Sequence, residues 1–147
     1  MPDYKAPIRD FQFVLEEVLN ITQYNTVPGF TEVTPDLIRS LLEESAKISE
    51  EVLLPLNQSG DKEGLKYDNG NVTTPKGFKE AYRKFVEGGW IGISAPPEYG
   101  GQGLPMVLTE VVNEFLCSAN MAFAMYPGLT QGAMAAILIH GTDEQKN

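Results

Sequence analysis

This chain of 147 residues has one cysteine, Cys117, and one histidine, His140. One thiol cannot close an internal disulfide, and one imidazole cannot anchor a multi-histidine metal centre. No metal site is expected, and a reducing, cytoplasmic compartment is. Positive charge is also scarce: 11 Lys and Arg stand against 20 Asp and Glu, a net charge of −9. Binding phosphates needs clustered cations, and so does adsorption to anionic lipid. Nucleic acid and membrane are therefore not expected as partners. The longest uninterrupted apolar run, Gly132 to Ile139, is far short of the roughly 20 residues that span a bilayer. Met1-Pro2-Asp3-Tyr4-Lys5 has neither the basic start nor the apolar stretch of a secretory signal. Repeats and low-complexity stretches are missing too.

What is present suits one domain, residues 1–147, with a packed core: 42% of residues are apolar and 21% charged. The pattern is helical. From Asp10 to Leu19, Phe11, Val14, Leu15, Val18 and Leu19 recur at helical spacing, after an extended Ala6-Pro7. Thr34 and Pro35 form a cap-then-proline start, with Asp36 at the positive end of the dipole. Ile38, Leu41, Leu42, Ser45, Ile48, Val52 and Leu56 then fall on one stripe. Glu43 and Lys47 are spaced for an ion pair. Pro55 is expected to kink or end this helix near Leu54.

Between residues 64 and 74 the pattern becomes that of a small hairpin, with Asp68-Asn69-Gly70 between two short β-prone runs. Thr74-Pro75 repeats the cap signal ahead of a third helix whose apolar face is Phe78, Ala81, Tyr82, Phe85 and Val86. Gly88-Gly89 stops it. Trp90 to Leu104 holds five glycines and two prolines, which exclude a regular helix or a central strand. Its apolar start and aromatic ends suggest a packed, ordered loop.

Pro105 opens a fourth helix, with Leu108, Val111, Val112, Phe115 and Ala119 on its buried side. Ala119 to Ile139 is almost uncharged and is expected to be buried on most sides. Pro127-Gly128 is expected to kink or interrupt it. His140-Gly141 reads as a helix end with a glycine cap. Thr142-Asp143-Glu144-Gln145 reads as a capping box that opens one more helix. The box lies so near Asn147 that the chain is expected to be part of something longer, whose missing parts cover the apolar helix.

Conventional catalytic constellations are absent. Gly100-Gly101-Gln102-Gly103 lacks the final glycine of a dinucleotide fingerprint, and Pro96-Pro97 breaks the strand that should precede it. A tight turn is the simpler reading than a phosphate cradle. Cys117 reads as a small buried hydrophobe, His140 as a cation at a helix end, and Glu98 as a turn-ordering residue. Met121 to Tyr126 suits either core or an apolar ligand pocket.

The run Gly89-Trp90-Ile91-Gly92-Ile93-Ser94-Ala95-Pro96-Pro97-Glu98-Tyr99-Gly100-Gly101-Gln102-Gly103 resembles the signature of the N-terminal domain of acyl-CoA dehydrogenases. Gly141-Thr142-Asp143-Glu144-Gln145-Lys146 resembles a second run of that family in its usual relative place. The opening Tyr4-Lys5-Ala6-Pro7-Ile8-Arg9-Asp10-Phe11 is similar to the N-terminal extension of a subgroup that includes 3-methylmercaptopropionyl-CoA dehydrogenases. The resemblance implies an all-α, bundle-like N-terminal domain, followed in the parent by a β-domain and a helical domain. It implies an FAD enzyme that takes an α-proton with a glutamate base and passes a β-hydride to flavin, giving a trans-2-enoyl-CoA. Electron-transfer flavoprotein and a homo-oligomeric parent are implied partners. No glutamate here matches the base, which is expected beyond Asn147, so no catalytic residue is assigned. FAD is expected in the parent and not on this chain alone. The implied contribution is a wall of the acyl pocket: Met125, Tyr126, Pro127, Gly128, Leu129 and Gln131. A self-standing helical module that binds a protein or lipid is the alternative, as is a flavin-free relic.

Overall fold

A computed structural model describes residues 4–146. Met1–Asp3, where no secretory signal was expected, and Asn147 lie outside the described residues. The architecture is helical with one two-stranded hairpin. Helix α1 (Ile8–Phe13) runs on through a π-helical turn, Val14–Val18. It starts two residues before Asp10 and buries only Leu15 fully, while Val14, Val18 and Leu19 are exposed. The wider π-turn rotates the stripe away from the plain helical spacing. Phe11 meets Phe115 edge to face at 5.1 Å, which seats α1 on the core.

Helix α2 (Pro35–Lys47) begins as its sequence dictates. Thr34 Oγ1 accepts from Leu37 N–H at 3.1 Å, and Pro35 takes the first turn. Of the expected kink or end near Leu54, the end does not occur, and the irregularity is a wider turn just before it. The chain passes through a π-helical segment, Ile48–Leu53, into α3 (Leu54–Glu63) without leaving helical backbone. Pro55 has no N–H for the carbonyl four residues back, and the wider turn just before it makes room for the ring. The π-segment also shifts the buried stripe. Ser49 and Leu53 go inside, whereas Val52 and Leu56 are only partly covered. Lys47 pairs with Glu44 at 4.0 Å rather than with Glu43.

The hairpin is present as strands β1 (Lys66–Asp68) and β2 (Asn71–Thr73), paired antiparallel with Tyr67 opposite Val72. Asn69 and Gly70 both take positive φ, which is the turn that an Asn-Gly pair favours. Helix α4 (Phe78–Glu87) starts later than expected. Gly77, in a left-handed conformation, precedes it, and Thr74-Pro75 belongs to the preceding loop. Phe78, Ala81 and Phe85 are buried, Tyr82 is half-buried and Val86 is exposed.

Residues 90–104 form an ordered, folded-back loop. Gln102, Gly103 and Leu104 donate their N–H groups to the carbonyls of Gly92, Ala95 and Ile93 at 2.8–2.9 Å. A Cβ on Gly101 would lie 2.0 Å from the Ala95 carbonyl oxygen, so only glycine lets the two strands of the loop approach this closely. Gln102 Nε2 ties the loop to Gly89 O at 3.1 Å.

Helix α5 (Met106–His140) packs against α2, the π-segment and α3. Its break is not at Pro127-Gly128, where the helix continues. It falls at Asn120, whose φ of −158° and ψ of 88° are non-helical. Asn120 Oδ1 accepts from Phe123 N–H at 3.0 Å, so this residue caps the second half, residues 121–140. Pro127 is buried within that half. Gly141 is extended rather than left-handed, although its N–H still donates to Ile137 O at 2.7 Å. Helix α6 (Asp143–Lys146) follows, with the expected reciprocal box. Gln145 N–H donates to Thr142 Oγ1 at 3.3 Å, and Thr142 N–H to Gln145 Oε1 at 2.9 Å.

Candidate functional site

Phe123 is the hub from which the second half of α5 is positioned. It is fully buried and faces Phe78, Tyr82, Phe85 and Tyr126 at ring separations of 5.8–6.4 Å. These edge and tilted contacts hold α5 against α4. Beyond the hub the helix leaves the core. Met121, Met125, Leu129, Ile137 and Ile139 are all exposed, Leu129 at 78%. The expected burial on most sides is therefore not met within the described residues. What stands there is an open apolar face.

The six residues expected to wall an acyl pocket do not meet in one cavity. Met125 and Leu129 point into the open, Gly128 has nothing near it, and Pro127 turns inward. Tyr126 lines a groove of about 470 Å³ with Thr74, Phe78, Lys79 and Tyr82. Gln131 lines a second cavity, about 290 Å³, between residues 91–95 of the glycine-rich loop and α5. At about 100° per residue, Tyr126 and Gln131 lie about 140° apart around the helix, which accounts for the separation. Sequence reasoning missed the α4 side of the Tyr126 groove. The signal was available in Phe78 and Tyr82, one turn apart on α4.

The glycine-rich loop makes a structural turn. Gly100, Gly101, Gln102 and Gly103 each spend the backbone N–H on a carbonyl of the same loop. This turn therefore leaves no cradle of free amides for a phosphate. Glu98 is exposed, and the turn around it is held by backbone bonds from Tyr99, Gly100 and Gly101, not by its carboxylate. Burial pushes the Cys117 thiol pKa up, with Glu110 and Glu114 adding to the effect. A thiol so placed is a poor nucleophile. His140 is exposed in the last turn of α5. Among the described residues no three His, Cys, Asp or Glu side chains gather as a metal site.

By length and composition, α5 is apolar enough to cross a membrane. Its most apolar stretch has a mean hydropathy of 1.4, and 11% of that stretch is buried. Counting the uninterrupted run alone understated this, because Thr130, Gln131 and the glycines interrupt the run without lowering the average much. The first half of α5 is core all the same: Leu108, Val112, Phe115, Leu116 and Ala119 are fully buried among the packed helices.

A helical domain with a hairpin, a folded-back glycine-rich loop and a helix with an uncovered apolar face is the setting for the comparisons. The model of the acyl-CoA dehydrogenase N-terminal domain matches residues 38–147, and the chain belongs to the acyl-CoA dehydrogenase family. The chain is 41% identical to 3-methylmercaptopropionyl-CoA dehydrogenase of Ruegeria pomeroyi, over 97% of this chain and 24% of that protein. It is 30% identical to the broad-specificity linear acyl-CoA dehydrogenase FadE5 of Mycobacterium tuberculosis, over 99% of this chain and 24% of that protein. A shorter match, 36% identical over 54% of this chain and 18% of the other, is to acyl-CoA dehydrogenase FadE26 of the same organism. The chain thus spans about a quarter of the length of the first two relatives.

Proposed function

We propose that residues 1–147 are the N-terminal helical domain of a longer, cytoplasmic, FAD-dependent acyl-CoA dehydrogenase. In this reading the whole enzyme desaturates an acyl-CoA to a trans-2-enoyl-CoA and passes electrons to electron-transfer flavoprotein. The observation that carries the reading is the open apolar face of residues 121–140, which lies inside the stretch that the family model matches. Exposed apolar area of this kind marks an interaction surface. The partner that fits is the remainder of the same polypeptide in a homo-oligomeric enzyme, rather than a bilayer.

In this reading the catalytic base and the flavin site belong to the rest of the enzyme. The part of this chain is to present one wall for the acyl group: Met125, Gly128 and Leu129 on the open face, with Tyr126, Pro127 and Gln131 setting how that face stands. Each methylene laid against it contributes about 0.8 kcal/mol when fully buried. The higher identity to the 3-methylmercaptopropionyl enzyme than to the linear acyl enzyme favours a short, thioether-type acyl group. The test is the full-length enzyme, assayed for oxidation of a series of acyl-CoA thioesters with electron-transfer flavoprotein as acceptor. Turnover of short acyl-CoAs, with Tyr126→Ala shifting chain preference more than rate, supports the reading. A flavin-free full-length protein that oxidises no acyl-CoA overturns it.

A further inference from the structure

The groove between α4 and the second half of α5 has features that the acyl-wall reading does not use. Its walls are Phe78, Tyr82 and Tyr126, and Lys79 and Thr74 stand at its edge. At about 470 Å³ it falls within the usual range of small-ligand sites. It is built on rigid elements, because Phe123 fixes the three aromatic walls from behind.

Charge decides what kind of molecule suits it. On this acidic surface Lys5, Arg39, Lys47 and Arg83 are held on carboxylates. Arg83, on the same helix, contacts Glu80 at 2.7 Å and Glu87 at 3.9 Å, and Arg39 contacts Asp36 at 3.4 Å. Lys79 is exposed and makes no ion pair among the described residues. An apolar, aromatic groove with an unpaired ammonium group at its edge is complementary to an anion with an apolar tail. A neutral tail would use the walls and not the lysine. A cationic amphiphile would be repelled by it.

We propose that this groove binds a medium-chain alkyl carboxylate, the chain lying along Phe78, Tyr82 and Tyr126 and the carboxylate on Lys79. The groove is a feature of the 147-residue chain, so the proposal can be tested on that chain without the rest of the enzyme. Its outcome is therefore separate from that of the dehydrogenase assay.

The experiment is a nuclear magnetic resonance titration of the chain with hexanoate, octanoate, 1-octanol and octylammonium, all below their micellar concentrations. Octanoate is expected to perturb the amides of Thr74, Lys79, Tyr82 and Tyr126, and to bind more tightly than octanol or octylammonium. Because the groove is open, each added methylene should raise affinity about two- to fourfold. Lys79→Gln, an exposed change that leaves the core untouched, should weaken octanoate about two- to fivefold to the level of octanol and leave octanol unchanged. Tyr82→Ala should weaken both. Three results would each overturn the proposal: equal binding of octanoate and octylammonium, no effect of Lys79→Gln, or perturbations confined to residues 134–138 of the open face.

Discussion

The side-chain amide of Asn120 donates to the carbonyl oxygen of Leu53 at 3.1 Å. This one bond joins two irregular points of the fold, the break in α5 and the π-segment that ends at Leu53. The same side chain, only 1% exposed, accepts from Phe123 N–H and starts the second half of α5. A buried amide satisfied on both ends fixes geometry, because any other arrangement leaves polar groups unpaired. The direction in which the apolar face leaves the core is set here.

Replacing Asn120 by Ala removes the cap and leaves Leu53 O and Phe123 N–H without this partner. A loss of about 2–4 kcal/mol is expected in urea denaturation, compounding the cap with a buried unsatisfied group. Asn120→Ser keeps a cap acceptor but cannot reach Leu53, so it should lose about half as much. Equal losses for the two variants would show that the cap contributes little.

Gly101→Ala places a methyl group against the Ala95 carbonyl, a backbone atom that cannot step aside. The loop must open, at about 2 kcal/mol or more. A lower melting temperature, with fast amide exchange at Gln102, Gly103 and Leu104, is the expected outcome.

The strap before α1 is pH-sensitive. Glu50 accepts from Lys5 Nζ at 2.6 Å and from Ala6 N–H at 2.9 Å. The hydrogen bond from Lys5 holds the Glu50 carboxyl below its ordinary pKa, with the Ala6 N–H assisting. A folded-state pKa lowered in this way adds stability above the unfolded pKa, and that stability is lost as pH falls through the folded value. Protection of the Ala6 amide, relative to its intrinsic exchange rate at each pH, should therefore fall on acidification below the normal carboxylate range. In Glu50→Gln that pH step should vanish.

The open face of α5 should make the 147-residue chain self-associate. Leu129→Lys, at the most exposed large apolar residue, should shift sedimentation toward monomer while leaving the melting temperature within about 0.5 kcal/mol of equivalent stability. A chain that is monomeric at all concentrations before the change would contradict this.

Much of the fold was legible because its signals are local. Thr34-Pro35 starts α2 by placing an acceptor and a fixed φ at the right spots. Asn69-Gly70 closes the hairpin, and Thr142 and Gln145 cap each other. Each of these depends on residues within three or four positions. The acyl-CoA dehydrogenase family was legible for a different reason: the run from Gly89 to Gly103 is long and specific. The misplaced helix starts and breaks depend on non-local packing. Pro55 was expected to kink or end a helix, and the π-segment before it carries the chain through without an end. Pro127 was expected to break α5, and Asn120 breaks it instead, through a partner 67 residues away. Thr74-Pro75 looked like a cap, and the chain delays the helix to Gly77 so that Phe78 packs on Gly60, where a Cβ would lie 2.5 Å from its ring.

The site divides in the same way. The sequence by itself determined that residues 121–140 carry no Asp, Glu, Lys or Arg and are largely apolar, and which family's N-terminal domain this is. Only the tertiary structure decided that this helix stands open rather than buried, and that Tyr126 and Gln131 face different cavities. It alone set Tyr126 beside Phe78, Tyr82 and Lys79. The physical reason is that composition reports how much apolar surface a segment carries. Which side of it is covered depends on where a buried amide, fixed by a distant carbonyl, turns the helix out of the core.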